Sequence, residues 1–217
     1  MIEAVVFDLD GVLIDSERVW DEVRAELAAE RGGRWSEHAS RDMMGMSSPE
    51  WSRYMRDEVG LADDPKEISA EVVRRLEAHY RNELPLVTGS RQAVERLAAR
   101  WPLGLASSSN RELIDLVLEL SALDRFFRAT VSSEEVARGK PAPDVYLATA
   151  SRLGVDPARC AAVEDSENGI RSAKAAGMRT IAIPNPEFPP AADALAQADA
   201  VLATLEDLTV AAVEGSS

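Results

Sequence analysis

Apolar positions along the chain follow two distinct rhythms. Ala4–Phe7, Leu103–Ala106 and Cys160–Val163 are unbroken apolar runs, the pattern of strands covered on both faces within a parallel sheet. Runs at about 180–183 and 200–202 are expected to complete a six-stranded sheet. Between them, apolar residues return every three or four positions, as on a helix with one buried face. Val94, Leu97, Ala98 and Trp101 make one such stripe, and Leu113, Val117 and Leu120 another. Tyr146, Leu147, Ala150 and Leu153 precede a stop at Gly154, and Ile170, Ala173 and Ala176 precede Gly177. Ser109-x-x-Glu112 has the spacing of a capping box.

The alternation is delayed after the first strand. Residues 15–84 carry only helical patterns: a first helix capped by Ser16, with Val19, Val23 and Leu27 recurring before Gly32-Gly33. A second helix follows Pro49, a third runs from about Pro65 to Asn82, and Leu84–Gly89 reads as a linker. The expected organisation is an α/β core of residues 1–14 and 85–217, interrupted by an all-helical subdomain of residues 15–84. The tail, Glu214–Ser217, is expected to fray.

Length and charge narrow the picture. The chain has 217 residues, enough for one substantial core plus a subdomain. Its 24 Lys and Arg against 38 Asp and Glu give a net charge of −14. So acidic a surface argues against nucleic acid and anionic membranes, where basic contacts supply affinity. The lone Cys160 excludes an internal disulfide and is expected to pack in a strand. The N-terminus has neither a basic segment nor a long apolar one, so no signal peptide or membrane span is expected, and the reading is cytoplasmic. His38 and His79 lack ligand spacing and read as surface residues.

The candidate chemistry sits at strand ends. The first strand delivers Asp8 and Asp10 two residues apart, with Gly11 next. Two close acids repel unless a cation lies between them or one holds a proton. Mg²⁺ takes oxygen ligands and leaves positions for a substrate phosphate, so it suits such a pair. Later ends deliver Ser107-Ser108-Ser109-Asn110, Lys140 within Gly139-Lys140-Pro141-Ala142-Pro143, and Glu164-Asp165-Ser166. Taken singly, these would be a turn, a cap, a solvated lysine and an anion at a helix start. As an ordered set, DLDGVLIDSE, ASSSN, GKPAPDVY and EDSENGI resemble the haloacid dehalogenase (HAD) superfamily, in its phosphatase and β-phosphoglucomutase-like branch with a small helical cap.

The resemblance covers nearly the whole chain. It implies a Rossmann-like parallel sheet with helices on both faces, residues 15–84 as the cap, and phosphoryl transfer with Mg²⁺. Asp8 would be the nucleophile that becomes an aspartyl phosphate, and Asp10 the general acid and base. Ser107 would bond a phosphoryl oxygen, and Lys140 would neutralise phosphate and nucleophile. Asp8, the Asp10 backbone carbonyl and Asp165 would bind the metal, with Glu164 a direct or indirect helper. Ser108, Ser109 and Asn110 would line the substrate site from the core. Trp20, Gly45 and Ser47 would line it from the cap.

Several activities share this core. Asp10 argues for phosphoryl transfer over carbon–halogen cleavage. The cap's only lysine, Lys66, lies beside Asp63 and Asp64, a setting for a solvated lysine rather than a Schiff base. A phosphatase, a hexose-phosphate mutase and a catalytically silent binding module stay open. Trp20 stands where the mutases carry a cap histidine, and Ser48 and Asn110 stand where they carry basic side chains, which favours the phosphatase. The expected partner is a small phosphorylated metabolite, sugar phosphates first, acted on by a monomer. Met43, Met44 and Met46 fit a pliable pocket or a cap core equally well. Among the arginines from Arg31 to Arg81, none is singled out as a substrate contact.

Overall fold

Side chains of β1 (Ala4–Phe7) feed two cores. Val5 and Phe7 belong to one apolar cluster, Ala4 and Val6 to another, and all four are fully buried. This is why the run is apolar throughout. The structure, a computed structural model, describes residues 1–36 and 38–215.

The strands β2 (Leu103–Ser107), β3 (Phe127–Ser132), β4 (Cys160–Glu164), β5 (Arg179–Ala182) and β6 (Ala200–Val201) join β1 in a parallel sheet of order β3-β2-β1-β4-β5-β6. The chain therefore builds outward from β1 to β3, then returns beside β1 to continue through β4. The crevice between the carboxyl ends of β1 and β4 is the switch point where such sheets bind ligands. Helices α5 (Ser90–Ala98) and α6 (Arg111–Ser121) cover the Val5/Phe7 face, and α7 (Asp144–Leu153) and α8 (Glu167–Ala175) cover the other. Cys160 is buried in the second cluster, with its thiol pushed up to about 11 by burial, as a packing residue should be.

Between β1 and α5 lies a helical insertion: α1 (Glu17–Glu30), α2 (Ala39–Met43), α3 (Ser48–Asp57) and α4 (Pro65–Asn82). Its apolar residues, among them Val19, Leu27, Trp51 and Leu76, belong to the same cluster as Val5 and Phe7. α4 begins at Pro65 because Asp64 accepts the Lys66 N–H at 2.9 Å and Pro65 has no N–H to satisfy. The two connections to the insertion run side by side: Asp15 N–H donates to Pro85 O (2.7 Å) and Val87 N–H to Leu13 O (3.0 Å). Two short helices, α9 (Ala192–Leu195) and α10 (Val210–Glu214), complete the chain. Among the described residues, no helix is long and apolar enough to cross a membrane.

Some expectations are corrected. Ser16 and Ser109 precede helices without capping them, because both hydroxyls bond Asp10 instead. β3 was the one strand with no assigned position; it is a sheet edge, and its partly exposed FRATVS sequence lacks the unbroken apolar signature. The short α2 was not expected. Leu120 and Leu147, read as stripe residues, are exposed. Glu214 ends α10 and pairs with Arg100 at 3.6 Å rather than fraying; Ser216 and Ser217 lie outside the described residues.

Candidate active site

The turn after β1 requires a glycine at the fourth residue past the strand, Gly11. Gly11 has φ +74°, and a Cβ there would lie 1.9 Å from Asp165 Oδ2. The missing side chain lets the turn close on the end of β4. Asp8 N–H meanwhile donates to Val163 O at 3.0 Å, fixing one carboxylate relative to the other strand.

Lys140, just before α7, is buried between two of these acids. Its Nζ lies 2.6 Å from Glu164 Oε1 and 2.9 Å from Asp8 Oδ1, the latter at ion-pair distance but outside hydrogen-bond geometry. Burial works against the ammonium, yet Asp8 and Glu164 outweigh it and hold its pKa above the usual lysine value. One cation does not satisfy the group. Burial, then the neighbouring carboxylates, hold Asp8 and Asp165 well above the usual carboxylate range, with Lys140 only a partial offset.

The acids differ in what they have left to offer. Glu164 Oε1 accepts from Lys140 and from the Tyr146 hydroxyl (2.6 Å), while Oε2 faces the Asp165 N–H (3.2 Å) and the Ser166 hydroxyl (3.3 Å). Gly169 packs so closely that a Cβ would overlap that carboxylate. Asp165 Oδ1, by contrast, is buried with no partner. Ligand oxygens of Asp8, Glu164 and Asp165 lie within 4.8 Å of one another. Three carboxylates against one ammonium, with a bare buried oxygen, fit a hard divalent cation. The Asp10 side chain is not part of this cluster.

Asp10 is gripped from both sides of the cavity. Ser16 Oγ (2.6 Å) and Trp20 Nε1 (3.2 Å) donate to Oδ1 from the insertion. Ser107 Oγ (3.5 Å), at the end of β2, and Ser109 Oγ (2.6 Å), in the loop after it, donate to Oδ2. Ser107 is fully buried, and its hydroxyl also accepts the Ser109 N–H at 3.0 Å.

The floor of the resulting cavity holds Asp8, Asp10, Lys140 and Asp165, and its rim holds Ser108 and Ser109. Trp20, Met43, Met44, Gly45 and Met46 line the facing wall, so the methionines serve the pocket, Met43 while also packing in the core. The cavity encloses about 50 Å³. Two expected substrate contacts lie elsewhere. Ser47 is not on the cavity wall; its hydroxyl and N–H bond Glu50 in the first turn of α3. Asn110 spends its amide on Ser48 Oγ (2.8 Å) and Glu134 (2.7 Å), joining insertion to core. Ser108 Oγ similarly meets Gly45 O at 3.3 Å. Lys66 and His38 are exposed and His79 half-buried, and none of the three lines the cavity.

Two cavity residues escaped the sequence reading, Glu17 and Arg24 on α1. Arg24 is buried with its guanidinium 4.4 Å from the Trp20 ring and 4.8 Å from that of Trp51. Glu17, Trp20 and Arg24 fall at helical spacing, so a charged pair on the inward stripe of α1 was the available signal.

Comparison with known proteins follows the same pattern. The family model described as haloacid dehalogenase-like hydrolase matches residues 2–177. Hexitol phosphatase B of Escherichia coli is 37% identical over 194 residues, 86% of this chain and 85% of its own. A phosphorylated carbohydrates phosphatase of Thermotoga maritima is 31% identical, over 83% of this chain and 84% of its own. The crystal structure of CbbY from Rhodobacter sphaeroides in complex with phosphate superposes with a TM-score of 0.87 at 27% identity, covering 99% of this chain and 100% of that one. The chain belongs to the haloacid dehalogenase-like hydrolases.

Proposed function

We propose that the protein is a Mg²⁺-dependent phosphatase of small phosphorylated metabolites, sugar phosphates first, working through an aspartyl phosphate on Asp8. The observation that carries this reading is the bare, buried Asp165 Oδ1 beside an Asp8 braced by Lys140. The names of the two phosphatase relatives support the substrate class.

Each residue has a task. Asp8 attacks phosphorus with its carboxylate, which Lys140 holds in place and in part helps to keep charged. Asp10 gives its proton to the leaving oxygen, then takes one from the water that cleaves the acyl phosphate. Ser107 and the N–H groups after Asp8 receive the phosphoryl oxygens. Mg²⁺ would be held by Asp8, Asp165 and the Asp10 carbonyl, with Glu164 orienting Lys140; it supplies positive charge that lowers the proton affinity of Asp8 and offsets the phosphoryl charge. Residues 15–84 act as the cap that excludes water.

A mutase must shield its phospho-enzyme while a bisphosphate turns round. Trp20 can donate one hydrogen bond to Asp10 but cannot exchange a proton, and neither Ser48 nor Asn110 offers a second phosphate a charge. Purified protein with Mg²⁺ should therefore release inorganic phosphate from hexose and hexitol phosphates, ranked by kcat/KM across a metabolite panel. Isomerisation of β-glucose 1-phosphate faster than phosphate release, with added bisphosphate, would promote the mutase. Failure to turn over any ester would leave a silent binding module.

A further inference from the structure

The wall of the cavity holds a cation with no hydrogen-bond or ion-pair partner among the described residues. Arg24 is 7% exposed, its Nε is buried without a partner, and among the described residues its guanidinium makes no hydrogen bond or ion pair. Trp20 and Trp51 pack against it, which offsets part of the cost of burying a charge but leaves its N–H groups unused. The cavity's other cation, Lys140, is already shared by Asp8 and Glu164. Among the described residues lining the cavity, Arg24 is thus the one cation without a hydrogen-bond or ion-pair partner, and its donor fork is open to a ligand there.

The neighbours of Arg24 decide what it can receive. Glu17 lines the same wall, and burial, followed by Asp10 and then by Asp15 and Asp21, pushes its carboxyl up to about 7. Burial lowers the guanidinium to about 10 in spite of Glu17, Asp10 and Asp21. Because Glu17 and Asp10 line the cavity beside Arg24, a second carboxylate or phosphate on the substrate would be brought against acidic groups as well as against the guanidinium. A neutral polyol would not be repelled, because its hydroxyl oxygens accept from the guanidinium and its hydroxyl protons go to Glu17.

Resting on the phosphatase reading above, we infer that Arg24 and Glu17 select a neutral, polyhydroxylated leaving group by holding its hydroxyls as a donor–acceptor pair. The alternative is that Arg24 only props Trp20 against Asp10, a purely positioning role.

The test compares a hexitol phosphate, phosphoglycolate and an aryl phosphate, whose leaving group carries no aliphatic hydroxyl. Arg24→Met and Glu17→Gln should each lower the kcat/KM ratio of hexitol phosphate to aryl phosphate about 10–100-fold, mainly through KM, the range for losing a hydrogen bond to a charged group. Arg24→Lys keeps the charge beside the indoles and loses the fork; it should fall between, and with Glu17→Gln it carries the test if Arg24→Met does not fold. An equal loss on both esters would reduce Arg24 to a prop and overturn the inference. Wild-type preference for phosphoglycolate that disappears in Arg24→Met would overturn it in favour of a second anion. Absence of turnover of all three esters by the wild type would instead defeat the phosphatase reading on which it rests.

Discussion

The floor and the wall of the cavity treat charge in opposite ways. At the floor and just beneath it, Asp8, Glu164, Asp165 and Lys140 come from three separate segments and crowd into one buried cluster, where burial and the neighbouring carboxylates raise the proton affinity of Asp8 and Asp165. On the wall, a single helix presents Glu17, Trp20 and Arg24, and the guanidinium packs on aromatic rings with no hydrogen-bond or ion-pair partner among the described residues. Crowding suits chemistry that needs a cation and a strong nucleophile. An unspent donor suits recognition, because it can still be satisfied by something brought in. Floor substitutions should therefore damage every substrate alike, and wall substitutions should act by substrate.

The contrast breaks first at Asp8. Asp8→Asn should abolish turnover of every ester, since an amide cannot form the acyl phosphate; residual activity above a few per cent would remove the nucleophile from the floor. Asp10→Asn should cost about 10²–10⁴-fold and leave slow labelling of Asp8 detectable after acid quenching. If it alters sugar and aryl phosphates unequally, Asp10 belongs to the wall as much as to the floor. Gly11→Ala and Asp165→Ala should both raise the Mg²⁺ needed for half-maximal activity, by about 10–100-fold or more, because the added methyl must displace the same carboxylate. EDTA should silence the wild type, and activity persisting in chelator would contradict the metal site.

The smallest effect reads the wall through stability. The Glu17 carboxyl holds a proton in the folded chain up to about pH 7, whereas its ordinary value is 4.5. In that window the folded state binds the proton and the unfolded state has released it, so stability is lost as pH rises. Asp8 and Asp165, shifted the same way, add to this loss in metal-free protein. The Tm without metal should fall between about pH 5 and pH 8, and Mg²⁺ should restore the floor's share. Glu17→Gln should flatten the slope, lifting Tm at pH 8 by about 2–4 °C, the shift made by ~1 kcal/mol in a chain this size. An unchanged slope would place Glu17 in open water.

These two regions were also unequally readable. The floor was legible because strand ends impose local order: apolar runs followed by DLD and EDS show both the sheet and the acids it delivers. What the runs could not show was how each acid is spent, since the Glu164 partners Lys140 and Tyr146 arrive from another segment. The edge strand β3 was missed because one covered side demands fewer apolar residues. Ser16 and Ser109 were read as caps because a local N–H is the default partner, while the observed partner, Asp10, is a tertiary one. Arg24 stayed hidden because an arginine on a helix usually means solvent, and only the flanking tryptophans turn it inward.

The hydrogen bonds across the cavity rim set the tempo of the molecule. Ser108 to Gly45 O, Ser48 to Asn110 and Asn168 to Met44 O are single contacts between uncharged groups, each worth about 0.5–1.5 kcal/mol net. Among the described residues, the one ion pair across the gap, Arg18 with Glu187, is largely in water and adds little. Even with the Trp20 bond to Asp10, a doorway held by so few contacts is expected to open in about microseconds to milliseconds, while a typical enzyme completes only about ten cycles per second. Traffic through the door is then faster than the work done behind it. Raising solvent viscosity should leave kcat unchanged, and a kcat that falls in step with viscosity would mean the door, rather than the chemistry, keeps time.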